Sequence, residues 1–266
     1  MSFNSRIKTA LANPRLALAL DGNYNRWRER RTASFAALPQ SDDVRDRARA
    51  IRVEALTHLD QYLLQLESNV KANGGIVHWA KDAEEANRIV AEIVVSQSHS
   101  ELTDTKCLLV AKSKSMLSEE IHLNAHLEKS GLKVVETDLG EWIVQLRGET
   151  PSHLTAPAIH LRREDVAELF EKHLGLPRTD DVPTLINAAR NALRQTFINA
   201  DVGISGVNFG VAETGTLCLI TNEGNGRLVT TIPKIHIALM GIERVVPTMR
   251  DLEIMIRVLA RSATGQ

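Results

Sequence analysis

A chain of 266 residues with 43% hydrophobic and 24% charged residues has the balance of a globular protein able to bury a sizeable core in one large domain or two small ones. Its net charge of -1 supplies no global attraction to nucleic acid or to an anionic membrane. No apolar run reaches the length of a membrane span, and no signal-peptide pattern follows the N-terminus, so the expectation is a cytoplasmic chain.

Residues 1–42 read as an N-terminal helical arm, crowded by Arg26, Arg28, Arg30 and Arg31 around Trp27, and residues 43–266 as the main domain. Ser41-Asp42-Asp43 resembles a helix N-cap region. Beyond it Val44, Ala48, Ile51, Ala55, Leu59, Leu63 and Leu66 recur at helical spacing, which predicts one long amphipathic helix stopping near Asn73-Gly74-Gly75. Strand and helix then alternate. Ile76–Trp79 reads as a strand, Asp82 caps a helix through Val95, and Cys107–Ala111 reads as a short buried strand. A helix from Ser118 to Lys129 and a strand at Lys133–Glu136 follow. Three strands separated by two helices predict parallel pairing with right-handed crossovers. His153–Ala156 reads as a further strand candidate, and Glu164–His173 and Pro183–Ala200 as helices. Asp201–Ile204, Leu217–Thr221 and Lys234–Met240 are strand candidates, and Thr248-Met249-Arg250-Asp251 opens a last helix.

Cys107 and Cys218 sit in apolar runs and read as buried free thiols. Two isolated cysteines match neither the roughly four ligands of an iron–sulfur cluster nor a zinc-site spacing. His122 and His126 are four apart on an expected helix, but Leu123 stands where a zincin carries glutamate, so a surface pair is the better reading and no metal site is assigned.

Four segments can carry chemistry. Lys112-Ser113-Lys114-Ser115 links a strand to a helix, where open α/β sheets collect ligands; it lacks the glycines of a nucleotide-binding loop and reads as an anion site or a solvated basic turn. Glu136-Thr137-Asp138-Leu139-Gly140-Glu141 brings three carboxylates to the same sheet end, with Asp138 and Glu141 also at capping-box spacing. Gly206–Thr216 contains Asn208, Thr214, Gly215 and a candidate acid, base or nucleophile, Glu213. Thr221–Arg227 contains Asn222, Glu223, Gly224, Asn225 and Arg227, the last suited to gripping a carboxylate or phosphate in a bidentate way. Both glycine-flanked segments also suit the turns of a hairpin. The spatial expectation is that all four segments share one mouth.

These motifs resemble the lactate utilization protein B family. The resemblance rests on the segments just named, on Pro151-Ser152-His153 and Pro157-Ala158-Ile159-His160, and on Arg261-Ser262-Ala263-Thr264-Gly265, in this order from about Ile51 onward. It implies a lactate-utilization (LUD) domain, an α/β, Rossmann-like sandwich similar to ribose-5-phosphate isomerase and CoA-transferase folds. It also implies an iron–sulfur subunit that passes electrons between partner lactate-utilization subunits in a complex oxidising L-lactate to pyruvate. Two 4Fe-4S clusters are implied for a ferredoxin-like region of the full-length parent and none for the residues up to Gln266, which read as a scaffold or small-anion-binding module. Two other readings stand beside this one: a stand-alone isomerase or CoA-transferase using Glu213, and a pure interaction domain.

Overall fold

The computed structural model describes residues 2–96, 107–149, 151, 156–221, 223–263 and 265. Its first half runs α1 (Phe3–Leu11), α2 (Pro14–Ala36), α3 (Ser41–Thr57), α4 (Leu59–Ala72), α5 (Ala83–Ser96), β1 (Leu109–Lys112), α6 (Met116–Glu120), α7 (Leu123–Lys129), β2 (Lys133–Glu136) and α8 (Leu139–Arg147). The second half runs α9 (Arg163–Leu174), α10 (Val182–Asn199), β3 (Val202–Gly206), β4 (Phe209–Val211), β5 (Thr216–Cys218), α11 (Asn225–Thr231), β6 (Ile235–Leu239), β7 (Val245–Val246) and α12 (Met249–Ala263).

Short runs rich in β-branched residues, buried on both faces, form a parallel sheet in the order β2-β1-β3-β6. One face packs Val110, Val134, Val202 and Ile204 against Val90 and Val94 of α5 and Leu123 and Leu127 of α7. On the other face Ala111 belongs to a core with Trp142 of α8, Phe170 of α9, Leu193 of α10 and Val229 of α11. The result is the expected α/β layering. A second sheet, β5-β4-β7, pairs β4 with β5 antiparallel and with β7 in parallel. Phe209, Val211 and Val246 of this sheet pack with Ile51 of α3 and Leu252 of α12, and Ala212 and Val245 with Ala55 of α3 and Leu63 and Leu66 of α4.

Several expectations are corrected. Ile76–Trp79 is an exposed segment without strand pairing; no neighbouring edge takes its backbone groups, and Trp79 instead donates from Nε1 to Glu67. The β1–β2 crossover is present, but the third parallel neighbour is the distant β3. The long helix breaks at His58, where φ -117 and ψ 36 leave helical geometry between α3 and α4. Gln40, not Ser41, is the residue before α3, in a left-handed conformation without a side-chain cap. The helix expected from Ser118 begins at Met116 and breaks at His122, so His122 precedes α7 rather than sharing a helix with His126. Cys107 is exposed and Cys218 half-buried; Cys107 lies ahead of β1, outside the sheet that would have covered it. The arm is two helices, and α2 packs on α12. The strand candidate His153–Ala156 has residues 153–155 outside the described residues.

Candidate functional site

The strand order reverses at β1: its crossover partner β2 lies on one side and β3 on the other. In open α/β sheets, ligands collect outside the carboxyl ends of the strands at such a switch point. Here those ends are Lys112 and Gly206. A Cβ added at Gly206 would lie 2.7 Å from Ser115 Oγ, so the glycine is what lets these two loops touch. Ser115 is also the N-cap of α6, accepting from the Ser118 N–H.

The acidic segment is fastened to the same place. The Lys112 carbonyl accepts from the Thr137 N–H and from Thr137 Oγ1, each at 2.9 Å. Asp138 caps α8 by accepting from the Gly140 and Glu141 N–H groups. The Gly224 segment joins through Asn225, which accepts from Thr221 Oγ1 at 2.9 Å and donates to Thr137 Oγ1 at 3.4 Å, and through Glu223, which accepts from the Leu139 N–H at 3.0 Å. Desolvation and the neighbouring Asp138 carboxylate raise the Glu223 carboxyl above its ordinary pKa, against the lowering pull of Lys114. Asp138→Ala removes the α8 cap and is expected to cost about 1–2 kcal/mol in urea unfolding; an unchanged midpoint would deny the cap that role.

Beneath this mouth lies a buried charged chamber. Lys112 is 0% exposed, and its Nζ sits 2.7 Å from Glu136 Oε1, 2.7 Å from Ser118 Oγ and 3.7 Å from Glu119 Oε1. Burial by itself depresses the Lys112 ammonium, but the Glu136, Glu141 and Glu119 carboxylates outweigh it and hold its pKa above the usual lysine value. Asn124 of α7 donates to Glu136 Oε1 at 2.6 Å. Burial, with the Glu136 carboxylate beside it, pushes the Glu141 carboxyl up to about 9. One oxygen from each of Glu119, Glu136 and Glu141 lies within 4.8 Å of the others, a spacing a cation can bridge. The Lys112 ammonium already stands among them, so the cluster carries its own cation and is not read as a metal centre.

Of the residues singled out in the sequence, Lys112, Ser113, Lys114, Ser115, Asp138, Glu223 and Gly224 lie on the strand ends and loops at this end of the parallel sheet, Glu141 in the first turn of α8, and Asn225 and Arg227 in the first turn of α11. Several are committed to the fold itself. The Ser113 N–H donates to the Ile204 carbonyl, and Gly224 precedes α11 at a positive φ of 80°. Asn208, just after β3, accepts from the Ile220 N–H at 2.7 Å and so ties the β3–β4 link to the end of β5. Lys114, half-buried, and Arg227, exposed, form no ion pair among the described residues.

Glu213, Thr214 and Gly215 sit elsewhere, at the β4–β5 turn of the second sheet. Glu213 Oε2 accepts from the Met249 N–H at the start of α12. Asn69 of α4 donates to the Ala212 and Glu213 carbonyls and Asn73 to the Thr214 carbonyl. Gly215 has φ +74 and lies directly against the Asn69–Val70 backbone. Asn222 is outside the described residues.

Sequence reasoning missed Glu119, Ser118 and Asn124, which meet Lys112 and Glu136 only once α6 and α7 fold onto β1 and β2. Glu136 was noted only as part of an acidic run. It also missed the Ser205 Oγ to His236 Nε2 contact at 2.7 Å, which links adjacent parallel strands; desolvation lowers the His236 pKa.

The LUD domain family matches residues 63–266. The chain is 43% identical to lactate utilization protein B of Anoxybacillus flavithermus over 265 residues, covering 99% of this chain and 54% of that protein. It is 43% identical to the protein of that name from Macrococcus caseolyticus and 41% identical to the one from Bacillus subtilis, each over 100% of this chain and 54% of the relative. The chain thus spans about half the length of the curated relatives it matches, and those matches take in the arm. No solved structure matches it significantly. With a family match over residues 63–266 of its 266, this chain belongs to the LUD domain family.

Proposed function

We propose that this chain is the LUD module of a lactate-utilization protein, acting as scaffold and small-anion-binding unit in a complex that oxidises L-lactate to pyruvate. The relatives' name, lactate utilization protein B, supports the pathway assignment. Electron transfer is assigned to the two 4Fe-4S clusters of the full-length parent's ferredoxin-like region, because the two cysteines here are too few for a 4Fe-4S cluster and lie in different parts of the fold. Partner lactate-utilization subunits complete the assembly. Among the described residues no helix is long and apolar enough to cross a membrane.

The observation that supports ligand binding is a switch point in the strand order whose outgoing loop and following helix carry two cations with no ion-pair partner among the described residues, Lys114 and Arg227. A charge-assisted hydrogen bond from each to a carboxylate contributes about 1.5–3 kcal/mol. Titration calorimetry with L-lactate and with pyruvate tests this. Lys114→Ala and Arg227→Ala are each expected to weaken carboxylate binding by roughly 10-fold or more, with an unchanged melting temperature. Absence of binding to the unaltered protein would remove the ligand role and leave the scaffold role. A transferase or isomerase centred on Glu213 draws no support from its placement, since that carboxylate is engaged at the start of α12.

A further inference from the structure

The chamber under the mouth holds more negative charge than its lysine balances. Among the described residues, Lys112 from β1, Glu119 from α6, Glu136 from β2 and Glu141 from α8 are the charged groups that face one another there, and α7 adds the neutral Asn124. On its far side α8 meets α9 through Trp142 and Phe170, an apolar contact. With all three carboxyls ionised, one ammonium would face three negative charges, and Glu136 and Glu141 are only 3% and 4% exposed. Glu136 Oε1 is used by Lys112 and Asn124, while Glu136 Oε2 and Glu141 Oε2 are buried without a hydrogen-bond partner among the described residues. One oxygen of each of these two carboxylates lies within 4.8 Å of the other, so two desolvated carboxylates with orphaned oxygens are close neighbours that lack a hydrogen.

We propose that Glu136 and Glu141 hold one proton between them, making the chamber a proton-storage site in which a neutral carboxylic acid donates to the carboxylate that binds Lys112. Glu119, about a third exposed, is the solvent-side member through which the proton exchanges. The raised pKa of Glu141 agrees with this geometry. The proposal does not depend on a ligand binding at Lys114 and Arg227.

The linkage has a definite sign. A carboxyl of ordinary pKa near 4.5 that is raised to about 9 in the fold binds an extra proton in the native state between those values. Its contribution to stability is therefore full below about pH 4.5 and is lost as the pH rises towards 9.

Infrared difference spectroscopy of the intact chain reads the proton directly. At neutral pH a buried carboxylic-acid C=O band is expected, fading as the pH passes about 9 and absent in Glu141→Gln; Glu223→Gln, which removes the other raised carboxyl outside the chamber, is expected to keep it. Glu141→Gln is also expected to flatten the fall in melting temperature between about pH 5 and pH 9, because an amide keeps a hydrogen at every pH. Should Glu141→Gln fail to fold, the band of the unaltered protein and its titration still decide. No acid band at neutral pH, or a band lost in Glu223→Gln, would overturn the proposal. So would a melting temperature raised by magnesium, calcium or manganese ions in the unaltered protein alone, which would put a metal ion where the proton is assigned.

Discussion

Lys112→Met is expected to destabilise the protein by about 3–5 kcal/mol at neutral pH, the largest loss from any single change in charge. Methionine fills much of the space, so the loss is electrostatic. Glu136 would remain 3% exposed without its cation, left with neutral donors such as the Asn124 amide, and Ser118 Oγ would lose the ammonium it accepts from. A buried carboxylate stripped of its partner costs far more than the pair contributes when intact. The double variant Lys112→Met with Glu136→Gln is therefore expected to recover a large part of the loss in a double-mutant cycle. Urea unfolding measures both. A single-variant loss below about 1 kcal/mol would mean that water reaches the chamber and screens it. Because the Lys112 carbonyl also anchors Thr137, the variant is read against hydrogen exchange at the Thr137 amide, which should stay protected if the backbone link survives.

Gly203→Ala is expected to cost about 3 kcal/mol or more, or to prevent folding, although it adds a single methyl group. Gly203 lies in β3 with strands on both sides, and α11 crosses it so closely that an added Cβ would lie 2.0 Å from the Val229 carbonyl oxygen and 3.0 Å from its carbon. Both are backbone atoms, so no rotamer change relieves the overlap; α11 has to move off the sheet. Since α11 follows directly from Gly224 and contains Asn225 and Arg227, the displacement is expected to loosen the mouth as well. Gly22→Ala is the matching control. It lies inside α2, nothing comes within 4 Å of an added Cβ, and alanine there is expected to be neutral or to stabilise by up to about 1 kcal/mol. Similar losses at both positions would show that the contact with Val229 is not what matters.

Much of the α/β order was legible before folding because it is written in local chemistry. Asp82 accepts from the Glu85 N–H at the start of α5, and Asp138 caps α8, as their spacing from the following helix indicates. The pairing of β1 with β2 follows from two short apolar runs with a helical crossover between them. Ile76–Trp79 had the composition of a strand and failed for a non-local reason: a strand needs an edge to pair with, and β3 takes the place beside β1. His58 and His122 break helices whose apolar periodicity continues across the gap: Ala55 of α3 and Leu63 and Leu66 of α4 still reach one core cluster on either side of the break, and α7 buries Leu123 and Leu127 against the parallel sheet.

The candidate site divides in the same way. Residue types at strand ends were enough to mark the Lys112, Glu136–Glu141 and Gly224–Arg227 segments, and their motifs were enough to place the family. Which carboxylates meet which lysine was not readable, because Glu119, Glu136 and Glu141 come from three elements that only tertiary packing brings around Lys112. Nor was the division of the two glycine-flanked segments, one joined to the mouth through Asn225 and Glu223 and the other turned against α4 and α12. Local sequence determines elements, caps and chemical character, since those depend on neighbours along the chain. Burial, charge pairing and the sharing of a proton depend on neighbours through space, and only the folded sheet with its covering helices supplies them.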